Sequence, residues 1–368
     1  MTRSTTISID PQALLHNLRQ VHQLAPSQQV VAMVKANAYG CGVEAIVPVL
    51  DGKVAWFGVA CLEEAEVCYR LGIHTPCLLL EGVFKASDYR LVAERGWGCV
   101  VHTPQQLDWL LATPLSTPIT IWLKVDTGMH RIGVSVEKVP KMLQALHNTA
   151  WVNNSMVLMT HFACADDPQD PTNLFQLNIF NNLFQHARDA YAQNILQSMA
   201  NSAAIYALPE AHGDLVRPGI MLYGVSPFSG KTGQSLGLQP VVQFHAPIIA
   251  LQEVPQGDGV GYGATWRANK NSLIGVVAVG YGDGYPRHIQ PGTPVALKSG
   301  ELVPIVGRVS MDMLTIDLTS CQSTVSLGEP VELWGNHIPI ETIAQSAGTI
   351  AYELLCQISN RPYRAIIS

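Results

Sequence analysis

The chain has 368 residues, 48% of them apolar, only 14% charged, with a formal net charge of −6. A mildly acidic chain with no run of lysines or arginines argues against binding to nucleic acid or to an anionic membrane surface. The length suits about two domains, and so few charges suggest that part of the surface is hidden in an oligomer interface.

The N-terminal stretch "MTRSTTISIDPQALLHNL" lacks an apolar core and a small-residue cleavage site, so no signal peptide and a cytoplasmic location are expected. Thr5–Ile9 reads as an opening strand, and Asp10 and Pro11 as N-cap and first residue of a helix to about Leu24. Short apolar runs then alternate with helical periodicity. The runs are Val30–Val34, Trp56–Val59, Pro76–Leu80, Cys99–Val101, Thr120–Val125, Val157–Thr160, Leu196–Ala200 and Leu215–Val216. Helical stretches such as "CLEEAEVCYRLG" and "NLFQLNIFNNLFQHARDAYA" lie between them. Eight strand–helix units predict an α/β fold with an N-terminal (β/α)8 TIM-like barrel, assigned to residues 1–231. From residue 232 the texture changes to β-rich runs such as "PVVQFHAPIIALQEV" and "TPVALKSGELVPIVG", split by Gly, Pro, Asn and Asp turns. Residues 232–368 are therefore expected to form a mainly β domain, closed by short helices at "IETIAQSAG" and "AYELLCQI". The longest apolar stretch, near "SLIGVVAV", is too short to cross a bilayer. The eight cysteines show no CxxC pair or framework spacing and read as reduced thiols.

In such a barrel the chemistry gathers at the C-terminal ends of the strands. Lys35 follows the first strand, Arg131 the fifth, and His161 ends the sixth. Asn201 and Ser202 follow the seventh, while Arg217 and Gly219 end the eighth. Barrels commonly hold a phosphate on the loops after strands seven and eight, where Ser202 and the amides near Gly219 are available. A lysine, a phosphate cradle and two arginines in one mouth suit pyridoxal 5'-phosphate, which needs a lysine amine, phosphate anchors and a group facing its ring nitrogen. Singly, each residue has a plainer explanation. Lys35 could be ion-paired or snorkelling, Tyr262 a turn tyrosine packed at a domain boundary, and Arg131 a buried ion-pair partner. His161 lies near Asp166 and Asp167, but no metal is expected there.

"AMVKANAYGCG", "LKVDTGMHRIG", "NSAA", "VRPGIMLYG", "VGYGATW", "VAVGYGDGYPR" and "VGRVSMDMLTIDL" occur in that order, from Lys35 nearly to the end of the chain. Together they resemble the blocks of the alanine racemase family, with Cys41 standing where many members have histidine. The resemblance implies that Lys35 holds the cofactor covalently and acts as one acid/base, with Tyr262 of the partner subunit as the other in a homodimer with shared sites. It implies that Tyr39, Ser202, Gly219, Ile220 and Tyr352 hold the phosphate and that Arg217 faces the pyridine nitrogen. Arg131 would face the phenolic oxygen and substrate carboxylate, and His161 would bond Arg217. Met311 and Asp312 of the partner subunit would finish the substrate pocket, with Tyr281 near its entrance. Lys124, buried in the fifth strand, would carry a carbamate that orients Arg131. Racemisation removes a proton from one face of a planar carbon and returns one to the other, which calls for two opposed groups. The expected reaction is interconversion of L- and D-alanine, for peptidoglycan supply or alanine breakdown. A racemase that also takes serine remains open, because an apolar site rejects an added hydroxyl only by roughly a hundredfold. A decarboxylase of the same fold is the other alternative.

Overall fold

The computed structural model describes residues 4–153, 155–191 and 195–367. Strand β1 (Thr6–Ile9) leads into the helix Pro11–Leu24, whose N-cap Asp10 accepts the amides of Gln12 and Ala13 at 2.8 and 3.0 Å. Proline at the first helical position and a carboxylate on otherwise orphaned amides set this start, as the sequence predicts.

Eight parallel strands follow: β2 (Gln29–Met33), β3 (Trp56–Val59), β4 (Cys77–Leu79), β5 (Gly98–Val101), β6 (Thr120–Lys124), β7 (Met156–Met159), β8 (Ile195–Ser198) and β9 (Leu215–Val216). They pair in the order β8-β7-β6-β5-β4-β3-β2-β9. The seam between β8 and β9 is closed by the amides of Asp214 and Arg217, which donate to the carbonyls of Gln197 and Ala200 at 2.9 Å, and by the Ser198 hydroxyl on the Leu215 carbonyl. Helices cover the outer face, so the strands are buried on both sides and read as apolar runs rather than alternating ones. The expected helix at residues 173–192 is observed as Pro171–Tyr191; Ala192 lies outside the described residues. One boundary differs in a useful way. The fifth barrel strand, expected to reach Val125, ends at Lys124. Beyond it, Val125 pairs with Val134 of the following loop, which turns the chain away and leaves Lys124 at the strand's end.

The remaining strands are β10 (Val242–Val254), β11 (Gly259–Val260), β12 (Trp266–Arg267), β13 (Ser272–Val277), β14 (Pro294–Ala296), β15 (Leu302–Val306), β16 (Leu314–Asp317), β17 (Pro330–Trp334) and β18 (Tyr363–Ile366). Long β10 bends at a register shift between Ile248 and Ala250, so one half pairs with β17 and the other with β13. This closes a ring β10-β13-β16-β15-β14-β17. Strand β1 joins it by pairing antiparallel to β10 and parallel to β18, so both ends of the described chain are sewn into the β domain. One apolar core runs through barrel and β domain together, from Ile7 to Ile358, and a small separate cluster of Val260, Ile274 and Val306 lies in the β domain.

Candidate active site

A cavity of about 1240 Å³ opens at the C-terminal ends of the barrel strands. Its wall includes Lys35, Tyr39, Lys124, Arg131, His161 and Arg217, and also Ser202, Gly219, Ile220 and Tyr352. Every barrel residue expected at the mouth is therefore in one place. Tyr262, Tyr281, Met311 and Asp312 do not line this cavity.

Lys35 follows β2 and leads into an uncommon piece of backbone. Ala36, Asn37, Ala38 and Tyr39 all have φ between 53° and 55°, a left-handed turn of four L-residues. The crowding of Cβ against carbonyl oxygen costs about 1–2 kcal/mol per residue in this region. The turn is held from several sides. The Glu64 carboxylate accepts the amide of Ala36 at 2.7 Å, and Asn37 Oδ1 accepts the amide of Val43 at 2.9 Å. Gly40 (φ 77°) ends it against the Leu355 carbonyl oxygen, which would lie 2.0 Å from any added Cβ. The turn delivers Tyr39 to Gly219, where an added Cβ would meet the Tyr39 hydroxyl at 2.4 Å. Tyr39 stacks on Tyr223 at 4.8 Å and lies 6.1 Å from Tyr352, while the Tyr223 hydroxyl donates to the Met33 carbonyl at 2.8 Å. Burial pushes the Tyr39 hydroxyl far above its ordinary range, with Tyr352 and Cys356 adding to the effect, so it stays a neutral donor. Ser202 Oγ accepts the amides of Gly219 and Met221 at 2.8 and 3.4 Å, which ties the loops after β8 and β9 into one cradle.

Arg217 is 3% exposed. Its guanidinium donates to Ser198 Oγ and the Thr160 carbonyl at 2.7 Å, the Met199 carbonyl at 3.0 Å and His161 Nδ1 at 3.1 Å. Burial lowers it to about 9, so it remains protonated at neutral pH. Burial, then the charges of Arg217, Lys124, Arg131 and Lys35, drive His161 well below the usual imidazole range. A neutral ring that accepts at Nδ1 carries its proton at Nε2. Lys124, 5% exposed, is lowered to about 7 by burial and then by Arg217, Arg131 and Lys35. Arg131 sits on a loop stapled by Asp126, which accepts the amides of Gly128 and His130 at 3.0 Å. Lys35, Lys124, Arg131 and Arg217 together give the strand-end side of this cavity a field that favours anions.

The β-domain residues form a second group. Tyr262 is 72% exposed at the tip of a turn between Gly261 (φ 70°) and Gly263 (φ 72°), beside Arg308. The amides of Tyr281 and Gly282 donate to the carbonyls of Ser310 and Met311, so these two segments lie side by side. Asp312 is held by Arg361 at 2.6 Å.

Sequence reasoning passed over Glu64, His102 and Tyr223. Tyr223 lies inside the quoted "VRPGIMLYG" block, one turn beyond Gly219, and that spacing is the signal that could have found it. His102 lines the cavity with its Nε2 3.0 Å from the Glu81 carbonyl, and nothing around it in sequence marks it.

The chain matches the family model "Alanine racemase, N-terminal domain" over residues 9–227 and "Alanine racemase, C-terminal domain" over residues 241–366. It is 53% identical to an alanine racemase of Legionella pneumophila (strain Corby) over 98% of this chain and 99% of that protein. It superposes on the biosynthetic alanine racemase of Pseudomonas aeruginosa with a TM-score of 0.93 at 40% identity, covering all of both chains. An alanine racemase of Bartonella henselae, described with covalently bound pyridoxal phosphate, aligns with a TM-score of 0.86 at 29% identity over 99% of each chain.

Proposed function

The chain belongs to the alanine racemase family, an amino-acid isomerase by that membership, and we propose that it interconverts L- and D-alanine with pyridoxal 5'-phosphate at the barrel mouth. The observation that carries the cofactor reading is the cradle at Gly219, where a Cβ would fall 2.4 Å from the Tyr39 hydroxyl. Only a glycine leaves that space, and hydroxyls of Tyr39 and Ser202 border it. The residues present therefore fit the group: Lys35 would hold it covalently, while Tyr39, Ser202, Gly219, Ile220 and Tyr352 would hold its phosphate. When bound, the cofactor draws electrons from the amino acid's α-carbon and acidifies the hydrogen there.

The chain's own residues then move that proton. Lys35 takes or returns it at Nζ on one face, and Tyr262 of the partner subunit does so at Oη on the other. Arg217 offers a donor that never becomes an acceptor, and its bond to His161 fixes both groups. Arg131 receives the substrate carboxylate. Met311 and Asp312 of the partner subunit shape the substrate pocket, with Tyr281 at its entrance. The 72% exposure of Tyr262, outside the cavity of its own chain, supports a homodimer in which each β domain, residues 232–368, completes the barrel mouth of the other subunit's residues 1–231. The product would serve peptidoglycan supply or alanine breakdown in the cytoplasm.

A panel of L-amino acids followed by optical rotation, with and without added cofactor, tests this reading. Alanine is expected to racemise in a cofactor-dependent way, and Lys35→Ala to abolish turnover. Racemisation by Lys35→Ala, or without cofactor, would overturn it.

A further inference from the structure

We infer that Glu64 is a positioning residue for Lys35, acting through the left-handed turn that follows the lysine; the inference rests on Lys35 being the residue that carries the cofactor. Glu64 does not line the cavity. It sits in the first turn of the helix Leu62–Arg70, where a negative charge is favoured. Its two carboxylate oxygens are spent on two backbone amides. Oε1 accepts from Ala36 at 2.7 Å and Oε2 from Ala60 at 2.7 Å, both at the short end of the range, as bonds to an anion are. Ala36 is the residue after Lys35, and Ala60 follows the end of β3, the strand paired with β2. One side chain thus ties the exits of two neighbouring barrel strands together.

Four consecutive L-residues in the left-handed region persist only where the surroundings over-determine them. Asn37 and Gly40 secure the far end of the turn, through Val43 and Leu355. At the near end, next to Lys35, the Ala36 amide is held by Glu64. If that hold is lost, the turn relaxes toward ordinary backbone geometry and carries both Lys35 Nζ and the Tyr39 hydroxyl from their places. Glutamine has the same size but only one acceptor oxygen, so Glu64→Gln leaves one of the two amides facing an NH2 group.

Three measurements on Glu64→Gln decide the matter. In the cofactor-free protein, hydrogen exchange at residues 36–39 should speed up while the rest of the barrel keeps its protection. In the holoenzyme, kcat should fall by roughly tenfold to a hundredfold, as misplacing a reacting group does. The α-deuterium isotope effect on kcat/KM should rise for the alanine enantiomer whose proton Lys35 removes and fall for the other, because only the Lys35 step is slowed. Unchanged exchange overturns the inference. So does a uniform loss of active enzyme with unchanged isotope effects, which marks a merely structural residue. Glu64→Asp, which keeps the charge but shortens the reach, is read the same way if Glu64→Gln does not fold. Borohydride trapping in the wild type locates the cofactor lysine. Trapping at a residue other than Lys35 overturns the underlying reading, whereas trapping at Lys35 with unaltered Glu64→Gln behaviour overturns the inference alone.

Discussion

Burial and three neighbouring cations lower Lys124 to about 7, so the neutral amine is within reach at physiological pH. The unfolded chain, with a lysine near 10.5, binds more protons between those two values. As a plain amine Lys124 therefore costs stability in full below pH 7, and the cost fades as pH rises toward 10.5. A neutral amine is also the form that adds CO2, releasing a proton and leaving an anion among Arg131, Arg217 and Lys35. That exchange replaces repulsion by attraction, which is the physical case for the expected carbamate. The intact protein in bicarbonate buffer should exceed its sequence mass by one CO2 at Lys124, lost on acidification. An unmodified mass would show that Arg131 is oriented without it.

Among the elements, the loop between β9 and the turn Ile220–Tyr223 shapes the cradle. Gly219 adopts φ −115° and ψ −97°, and its missing Cβ is what admits the Tyr39 hydroxyl. The Tyr39 ring is stacked on Tyr223 and cannot swing aside cheaply. Gly219→Ala should therefore displace Tyr39 and raise the dissociation constant for pyridoxal phosphate by about tenfold, the usual cost of one lost hydrogen bond to a charged group. Spectroscopic titration of the cofactor-free variant measures this, and unchanged affinity would refute the cradle. The strands at this scale were largely legible, because a strand buried on both faces must be apolar throughout. The left-handed turn at 36–39 was not. Little in "KANAY" announces it, since Asn tolerates the left-handed region but Ala and Tyr prefer others. The turn exists because Glu64, Asn37 and the Leu355 carbonyl hold it, and those contacts span up to hundreds of residues.

For the whole molecule, the two groups of candidate residues lie apart within one chain: Lys35 in the cavity, Tyr262 on an exposed turn of the β domain. The dimer reading makes a quantitative prediction. Lys35→Ala and Tyr262→Phe chains should each be nearly inactive alone. Mixed so that subunits exchange, half the dimers are hybrids, and each hybrid has one intact site of two, so about a quarter of wild-type activity should return. Hybrids that form without regaining activity would place both bases in one chain.

What the sequence determined by itself was whatever local chemistry dictates. Apolar runs with a period set by strand or helix gave the eight barrel strands, and Asp10 with Pro11 gave the first helix start. The place of Lys35, His161, Ser202 and Arg217 at strand ends followed from the same count, because a barrel turns order along the chain into position around a mouth. The tertiary structure decided what depends on several distant segments meeting. It set the low value of Arg217, which arises from burial, and that of Lys124, which arises from burial and then from the charges of Arg217, Arg131 and Lys35. It closed the β domain on β1, and it made the backbone after Lys35 left-handed. Burial, field and strain are sums over neighbours, and neighbours exist only once the chain has folded.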